Sequence, residues 1–112
     1  MLRTAAMLVL LPVAGGSARA ARTGPGAHKA TTHTITMNDV KFGPVPAGIR
    51  VGDTVVWDNR DIVPHTATAR DGSFDVVIPA GRSARTVMRK AGTIAFYCRY
   101  HPDMTGRLVV SR

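Results

Sequence analysis

The sequence contains no glutamate and only one cysteine among its 112 residues. A chain with one cysteine cannot form an intramolecular disulfide, which is the usual crosslink of small secreted domains. No apolar run approaches the roughly 20 residues that a membrane-spanning helix needs, and no helical hydrophobic period extends over a useful length. These absences argue against a disulfide-rich scaffold, a membrane-spanning protein and a helical bundle.

The first 20 residues have the features of a secretory signal peptide. They carry Arg3 near the start, an apolar run over residues 5–14, and a small-residue site that ends at Ala20. This pattern predicts cleavage after Ala20 and export of the protein, to the periplasm or another extracytoplasmic location in a bacterium. Residues 21–32 lack periodicity and predict a flexible leader in which His28 is solvated, so residues 33–112 are expected to form the one domain.

The positive charge narrows the choice of partner. Without residues 1–20 the chain has 13 basic residues and 7 aspartates, so its net charge is +6. The arginines are dispersed along the sequence, and an exported protein rarely meets nucleic acid. We therefore expect no nucleic-acid binding and no stable membrane insertion. The charge either attracts an acidic protein partner or serves only solubility.

Short runs of β-forming residues, separated by turn residues, extend from residue 33 to the end of the chain. The runs are HTITM, IRVGDTVVWDN, HTATA, FDVVI, ARTVM, TIAFYC and RLVVS. This spacing predicts an all-β fold, a Greek-key sandwich or barrel of about seven to eight short strands.

The stretch FYCRYHPDMTG holds the only cysteine, then a histidine and a methionine at intervals of three. Side chains alternate across a strand, so Ile94, Phe96 and Cys98 in TIAFYC share one face, which is expected to be the buried one. A buried cysteine in a strand is common as simple packing. Packing does not explain why His101 and Met104 follow it.

A thiolate, a thioether and an imidazole together indicate a soft metal. Two histidines, one cysteine and a weak axial methionine form the trigonal copper site used in electron transfer. The stretch supplies Cys98, His101 and Met104, so one histidine has to come from elsewhere. His65 is the best candidate, because it follows a turn-rich segment and Pro64 restricts the backbone before it. His33 begins the first strand with no turn to direct it.

Two segments, VGDTVVWDNRDIVPH and AGTIAFYCRYHPDMTGRLVV, resemble the cupredoxins. The compact Cys-x-x-His-x-x-Met spacing is most similar to amicyanin, within the amicyanin and plastocyanin group. The resemblance covers residues 34–112 and implies a type 1 (blue) copper ion bound by His65, Cys98, His101 and Met104. It also implies an electron carrier rather than an enzyme, which shuttles single electrons by Cu(II)/Cu(I) cycling.

The sequence departs from this family at three positions near the expected site. Arg99 and Tyr100 stand where the amicyanin loop usually has threonine and proline. Thr66 follows His65 where the family commonly has an asparagine whose amide ties the two ligand loops together. A threonine hydroxyl can make a similar bond but not an identical one.

The surface around His101 is expected to be the route of the electron. Its outer edge lies on a turn, and an apolar rim is predicted from a nearby group of residues: Ile62, Val63, Pro64 and Pro102. Arg60, Arg99 and Arg107 are expected to place positive charge around it. The protein is then predicted to be a monomer whose partners are redox proteins, such as a c-type cytochrome or a dehydrogenase or oxidase with an acidic docking face.

Three other functions compete with electron transfer. Copper delivery or sequestration would use the same ligands, but it needs an exposed site with several methionines, and Met104 alone is placed near this one. A Cys–His hydrolase would leave Met104 without a role and would need a substrate cleft. A non-catalytic adhesion domain would leave the whole motif unexplained.

Overall fold

The computed structural model of the protein describes residues 28–112. The predicted signal peptide and most of the predicted leader lie outside these residues. Nine strands are present in the described range. They are β1 (Thr32–Asn38), β2 (Lys41–Phe42), β3 (Ile49–Arg50), β4 (Thr54–Asn59), β5 (His65–Ala69), β6 (Asp75–Ile78), β7 (Ser83–Val87), β8 (Gly92–Cys98) and β9 (His101–Ser111). In that part of the chain, no helix is both long enough and apolar enough to cross a membrane.

The strands form two sheets, in the orders β2-β1-β4-β7 and β3-β9-β8-β5-β6. The predicted all-β class is therefore confirmed, but the strand count differs. The run IRVGDTVVWDN is broken at Gly52, which has a φ of 95°, a conformation that favours glycine. The halves become β3 and β4, which belong to different sheets, and the two-residue strand β2 gave no signal in the sequence.

The hydrophobic core lies between the sheets and is built around four aromatic rings. Trp57 and Phe96 are fully buried at its centre, and Phe42 and Phe74 pack against them. The Phe96 ring also lies directly over Gly106 on β9, where a Cβ would overlap it. Ile94, Phe96 and Cys98 all face this core, as predicted from their alternation in β8.

The ends of four strands meet at one end of the sandwich. Strand β4 finishes at Asn59, β5 begins at His65, β8 finishes at Cys98, and β9 begins at His101. The buried Asn59 amide organises the intervening loop, because its Nδ2 donates to the carbonyl oxygen of Val63 at 2.9 Å. A two-residue turn connects β8 to β9, so the predicted loop after Cys98 is shorter than expected and β9 already starts at His101.

A bulge at the start of β9 turns Met104 inward. Cys98 is opposite His101, but its neighbour Tyr97 is opposite Thr105, so residues 102–104 have no partner in the ladder. Extra residues of this kind re-aim a side chain without ending the strand. Met104 is consequently buried, whereas Pro102 and Asp103 remain exposed.

A buried aspartate holds the N-terminal segment at the other end of β4. The Asp53 carboxylate accepts hydrogen bonds from the backbone of Thr31 and Arg50, and it contacts the Nε2 atoms of His28 at 3.1 Å and His33 at 2.9 Å. Burial raises the pKa of Asp53, but these hydrogen bonds outweigh it and hold the pKa far below its ordinary value. The prediction that His28 is solvated is wrong, and His33 lies at the far end from Cys98.

Candidate metal centre

Three of the four predicted ligands converge at the end of the sandwich. The donor atoms of His65, Cys98 and His101 all lie within 4.8 Å of one another. Cys98 Sγ is 3.8 Å from His65 Nδ1 and 3.7 Å from His101 Nδ1. The fourth, Met104, is buried beside them and lines the same cavity as His101. Their role as ligands is a prediction, but the placement they require is present.

The spacing of the three donors fits a metal ion. Metal–sulfur and metal–nitrogen bonds of about 2.3 and 2.0 Å, separated by an angle of ~120°, place the two donor atoms about 3.7 Å apart. The two sulfur–nitrogen distances in this structure, 3.8 and 3.7 Å, match that value. A thiol with two imidazoles and a thioether is a donor set that copper favours.

Asp61 fixes the orientation of the buried His65 ring. Its carboxylate lies 2.6 Å from His65 Nε2 and accepts a hydrogen bond from the Nε2–H group. Nδ1 therefore carries a lone pair, which is directed at the Cys98 thiol. Burial raises the pKa of Asp61. The hydrogen bonds from His65 and from the Val40 and Asp39 backbones lower it by more, so the net shift of the pKa is downward. Asp39 and Val40 form the tight turn between β1 and β2, and both have positive φ. Because Asp61 accepts the backbone N–H groups of both residues, it also holds this turn.

Thr66 joins the two segments that carry the ligands. Its backbone N–H donates to Cys98 Sγ at 3.3 Å, and its hydroxyl oxygen accepts the backbone N–H of Arg99 at 2.8 Å. The expectation that a threonine hydroxyl can tie the two loops is confirmed. The first bond anchors the Cys98 sulfur to the residue that follows His65.

Comparison with known proteins agrees with this geometry. A family model described as the cupredoxin-like domain matches residues 4–110. Amicyanin of Paracoccus denitrificans is 32% identical over 82 residues, which span 68% of this chain and 63% of that protein. Amicyanin-alpha of Methylorubrum extorquens is 30% identical over 112 residues, which span 95% of this chain and 91% of that protein.

The fold leads to the same group. The solved reduced Cu(I) form of an amicyanin mutant matches with a TM-score of 0.61 and 25% identity, over 76% of this chain and 85% of the other. The chain belongs to the cupredoxin family. The two relatives and the solved structure named here are all amicyanins, so within this family the chain is most like amicyanin.

In this cupredoxin, one imidazole of the site reaches the surface. His65 and Cys98 have no exposed area, whereas His101 is partly exposed and lines an open cavity. Of the residues predicted to form an apolar rim, Ile62, Pro64 and Pro102 are exposed and Val63 is partly exposed, and Pro102 lines the cavity beside His101.

The cavity beside His101 adds residues that the sequence did not indicate. It is also lined by Val40, Lys41 and Tyr100. Val40 lies 61 positions before His101 in the chain, and only the turn between β1 and β2 brings it here. Of these residues, Lys41 supplies a positive charge at the mouth of the cavity.

Two of the three arginines that were expected near the rim form ion pairs in the described part of the chain. Arg99 Nε is 3.1 Å from Asp75 Oδ1, and Arg60 Nε is 3.0 Å from Asp58 Oδ2, so both guanidinium groups are paired. Arg107 lines a different cavity, with Val45 and Ser111 among its neighbours. The Arg99 pair depends on which strands are adjacent, whereas the partner of Arg60 lies only two positions away in the chain.

Proposed function

We propose that this cupredoxin is an electron carrier that binds one copper ion through His65, Cys98, His101 and Met104. The observation that carries the proposal is the convergence of two imidazole nitrogens on a buried thiol at 3.7–3.8 Å. Copper, when bound, supplies a one-electron couple between Cu(II) and Cu(I). The Cu(I) form of the solved amicyanin relative supports the choice of metal.

The residues around the site keep its donors in place in both oxidation states. Asp61 holds the His65 ring by its Nε2–H, and the Thr66 N–H bond holds the sulfur of Cys98. His65 and Cys98 are anchored at strand ends, and Pro102 stiffens the chain after His101. Donors that need not move make little demand for rearrangement when an electron arrives. The exposed edge of His101 is the route between the site and a partner.

Copper delivery is the alternative use of the same ligands. A delivery site exchanges its metal readily and offers several exposed methionines. Here Met37 and Met88 are buried in the core, and Met104 is also buried, which favours a retained ion. Release of copper to a competing chelator separates the two functions, since delivery requires fast exchange.

The proposal includes the location and the partners. The signal peptide of residues 1–20 directs the protein to the periplasm or another extracytoplasmic space, and the domain of residues 33–112 binds copper. The leader of residues 21–32 precedes it, and its last residues contact Asp53. The protein acts as a monomer, not as an enzyme, and exchanges electrons with a c-type cytochrome or with a dehydrogenase or oxidase that has an acidic docking face.

The function is tested by adding one equivalent of copper(II) to the purified protein. The Cys98 thiolate bonds covalently to copper(II), so an intense visible absorption band should develop and saturate at one ion per chain. Ascorbate should bleach the band and ferricyanide should restore it. The band and the copper content are followed together by absorption and elemental analysis. A copper-loaded protein without colour would contradict the proposal.

Lys41 should control the approach of anionic electron acceptors to His101. It lines the cavity beside this histidine, and electrostatic steering is screened over about 8 Å at physiological salt. The rate of oxidation by ferricyanide, measured by stopped flow, should fall as ionic strength rises. Lys41→Glu should slow it several-fold at low salt.

Arg89→Glu is the matched control for Lys41→Glu. It makes the same change in net charge on an exposed residue next to Met88, at the Asp53 end of the sandwich. Its effect on the ferricyanide rate should be smaller than that of Lys41→Glu. Equal effects, or a rate that does not depend on salt, would mean that Lys41 has no special role and that the basic charge serves solubility.

A further inference from the structure

Four residues beside the metal centre form a closed ring of hydrogen bonds. The Arg99 backbone N–H donates to Thr66 Oγ1 at 2.8 Å, and Thr66 Oγ1 lies 3.0 Å from Thr68 Oγ1. The Thr68 hydroxyl donates to Asp75 Oδ1 at 2.8 Å, and Arg99 Nε returns to the same oxygen at 3.1 Å. The ring thus begins and ends on the residue that directly follows Cys98.

We propose that Thr68 and Asp75 are positioning residues of the metal centre, which act through Thr66 on the sulfur of Cys98. The proposal rests on the proposed copper function for its consequences, but the ring itself is a property of the chain. Neither residue belongs to the predicted ligand set, and the sequence gave no reason to select them.

The direction of the hydrogen bonds gives the ring its effect. A hydroxyl has one hydrogen, and that of Thr68 is donated to the Asp75 carboxylate. The contact between the two hydroxyl groups is then made by the hydrogen of Thr66, which leaves the lone pairs of Thr66 for the Arg99 N–H. Asp75 therefore sets the orientation of the Thr66 hydroxyl through the hydroxyl of Thr68.

The ring replaces main-chain pairing exactly where the ligands lie. Strands β5 and β8 are paired at Ala69 with Phe96 and at Thr68 with Tyr97, and the register stops there. Continued by two residues, the same register would place Thr66 opposite Arg99. Instead of this main-chain pair, the hydroxyl oxygen of Thr66 accepts the Arg99 N–H. The backbone N–H of Thr66 then donates to Cys98 Sγ at 3.3 Å.

The exposure of the four side chains indicates that the ring positions the Cys98 sulfur and contributes little to the stability of the fold. Thr66 is fully buried and Thr68 is nearly so, whereas the side chains of Asp75 and Arg99 are 51% and 40% exposed. An ion pair this exposed contributes little to stability. Removing the Asp75 carboxylate should therefore disturb the buried hydroxyl groups more than it disturbs folding. With a looser N–H bond, the sulfur of Cys98 becomes a stronger donor, and hydrogen bonds to sulfur raise the potential of a metal centre.

The test compares Asp75→Ala and Thr68→Val with the parent protein and uses Asp71→Ala as the matched control. Asp71 also forms an exposed ion pair, with Lys90 at 3.0 Å, but it contacts none of the four residues of the ring. In the metal-free protein, amide hydrogen exchange at Thr66 and Arg99 is measured by NMR. We expect exchange at these two amides to accelerate at least tenfold in Asp75→Ala and Thr68→Val, and to stay unchanged in Asp71→Ala.

Copper-loaded samples supply the second readout. In Asp75→Ala and Thr68→Val the reduction potential should fall and the visible band should shift, and Thr68→Ser, which keeps the hydroxyl, should restore both. Unchanged amide exchange in both variants would overturn the ring, whatever the metal does. Accelerated exchange with an unchanged potential and band would overturn its action on Cys98. If the parent protein forms no coloured copper complex, the proposed function fails, and the exchange data still decide whether the ring exists.

Discussion

Replacing Cys98 with serine should abolish the visible absorption of the copper-loaded protein. The thiolate is the one soft anionic donor in the site, and a serine hydroxyl stays protonated and bonds weakly to copper. Cys98 is fully buried and its sulfur lies within 3.8 Å of both imidazole nitrogens, so no other side chain can take its place. Absorption spectra at one equivalent of copper(II), with copper content after dialysis, measure the loss.

The fold should survive this substitution, which makes the result interpretable. Serine is slightly smaller than cysteine, and its oxygen can still accept the backbone N–H of Thr66 that Cys98 Sγ accepts at 3.3 Å. The circular dichroism spectrum of metal-free Cys98→Ser should match that of the parent, and its melting temperature should differ by only a few degrees. A band that persists in a folded Cys98→Ser protein would exclude the thiolate as a ligand.

Sequence reasoning succeeded where the signal is local. The alternation in TIAFYC was enough to place Ile94, Phe96 and Cys98 on the buried face, because the period of a strand is two residues. Cys98, His101 and Met104 lie within seven positions of one another. Their proximity therefore depends on one turn and one bulge and not on the arrangement of the sheets.

Contacts between distant segments were harder to predict. His65 is 33 positions from Cys98, and it could be selected only by elimination and family resemblance. Asp61 and Asp75 could not be selected, because an aspartate in a turn or at a strand edge has many possible partners. The topology alone brings Asp75 of β6 next to the turn after β8.

His65→Gly should remove the visible band, and added imidazole should restore it. His65 has no exposed area, so glycine leaves a cavity of the shape of an imidazole ring beside the thiol. Asp61 remains beside this cavity, and its Oδ2 can accept the N–H of the added ring, as it accepts that of His65 at 2.6 Å. The band at one equivalent of copper(II) should grow with imidazole concentration and saturate.

The His65→Gly result depends on the protein remaining folded, since emptying a buried site costs a few kcal/mol. Imidazole should raise the melting temperature of this variant, because a ligand that fills the cavity binds only the native state. His33→Gly is the matched control: it removes the same side chain from the Asp53 cluster at the opposite end of β4. His33→Gly should keep the band without imidazole. Loss of colour in His33→Gly, or a His65→Gly protein that stays coloured, would show that the second histidine of the site is not His65.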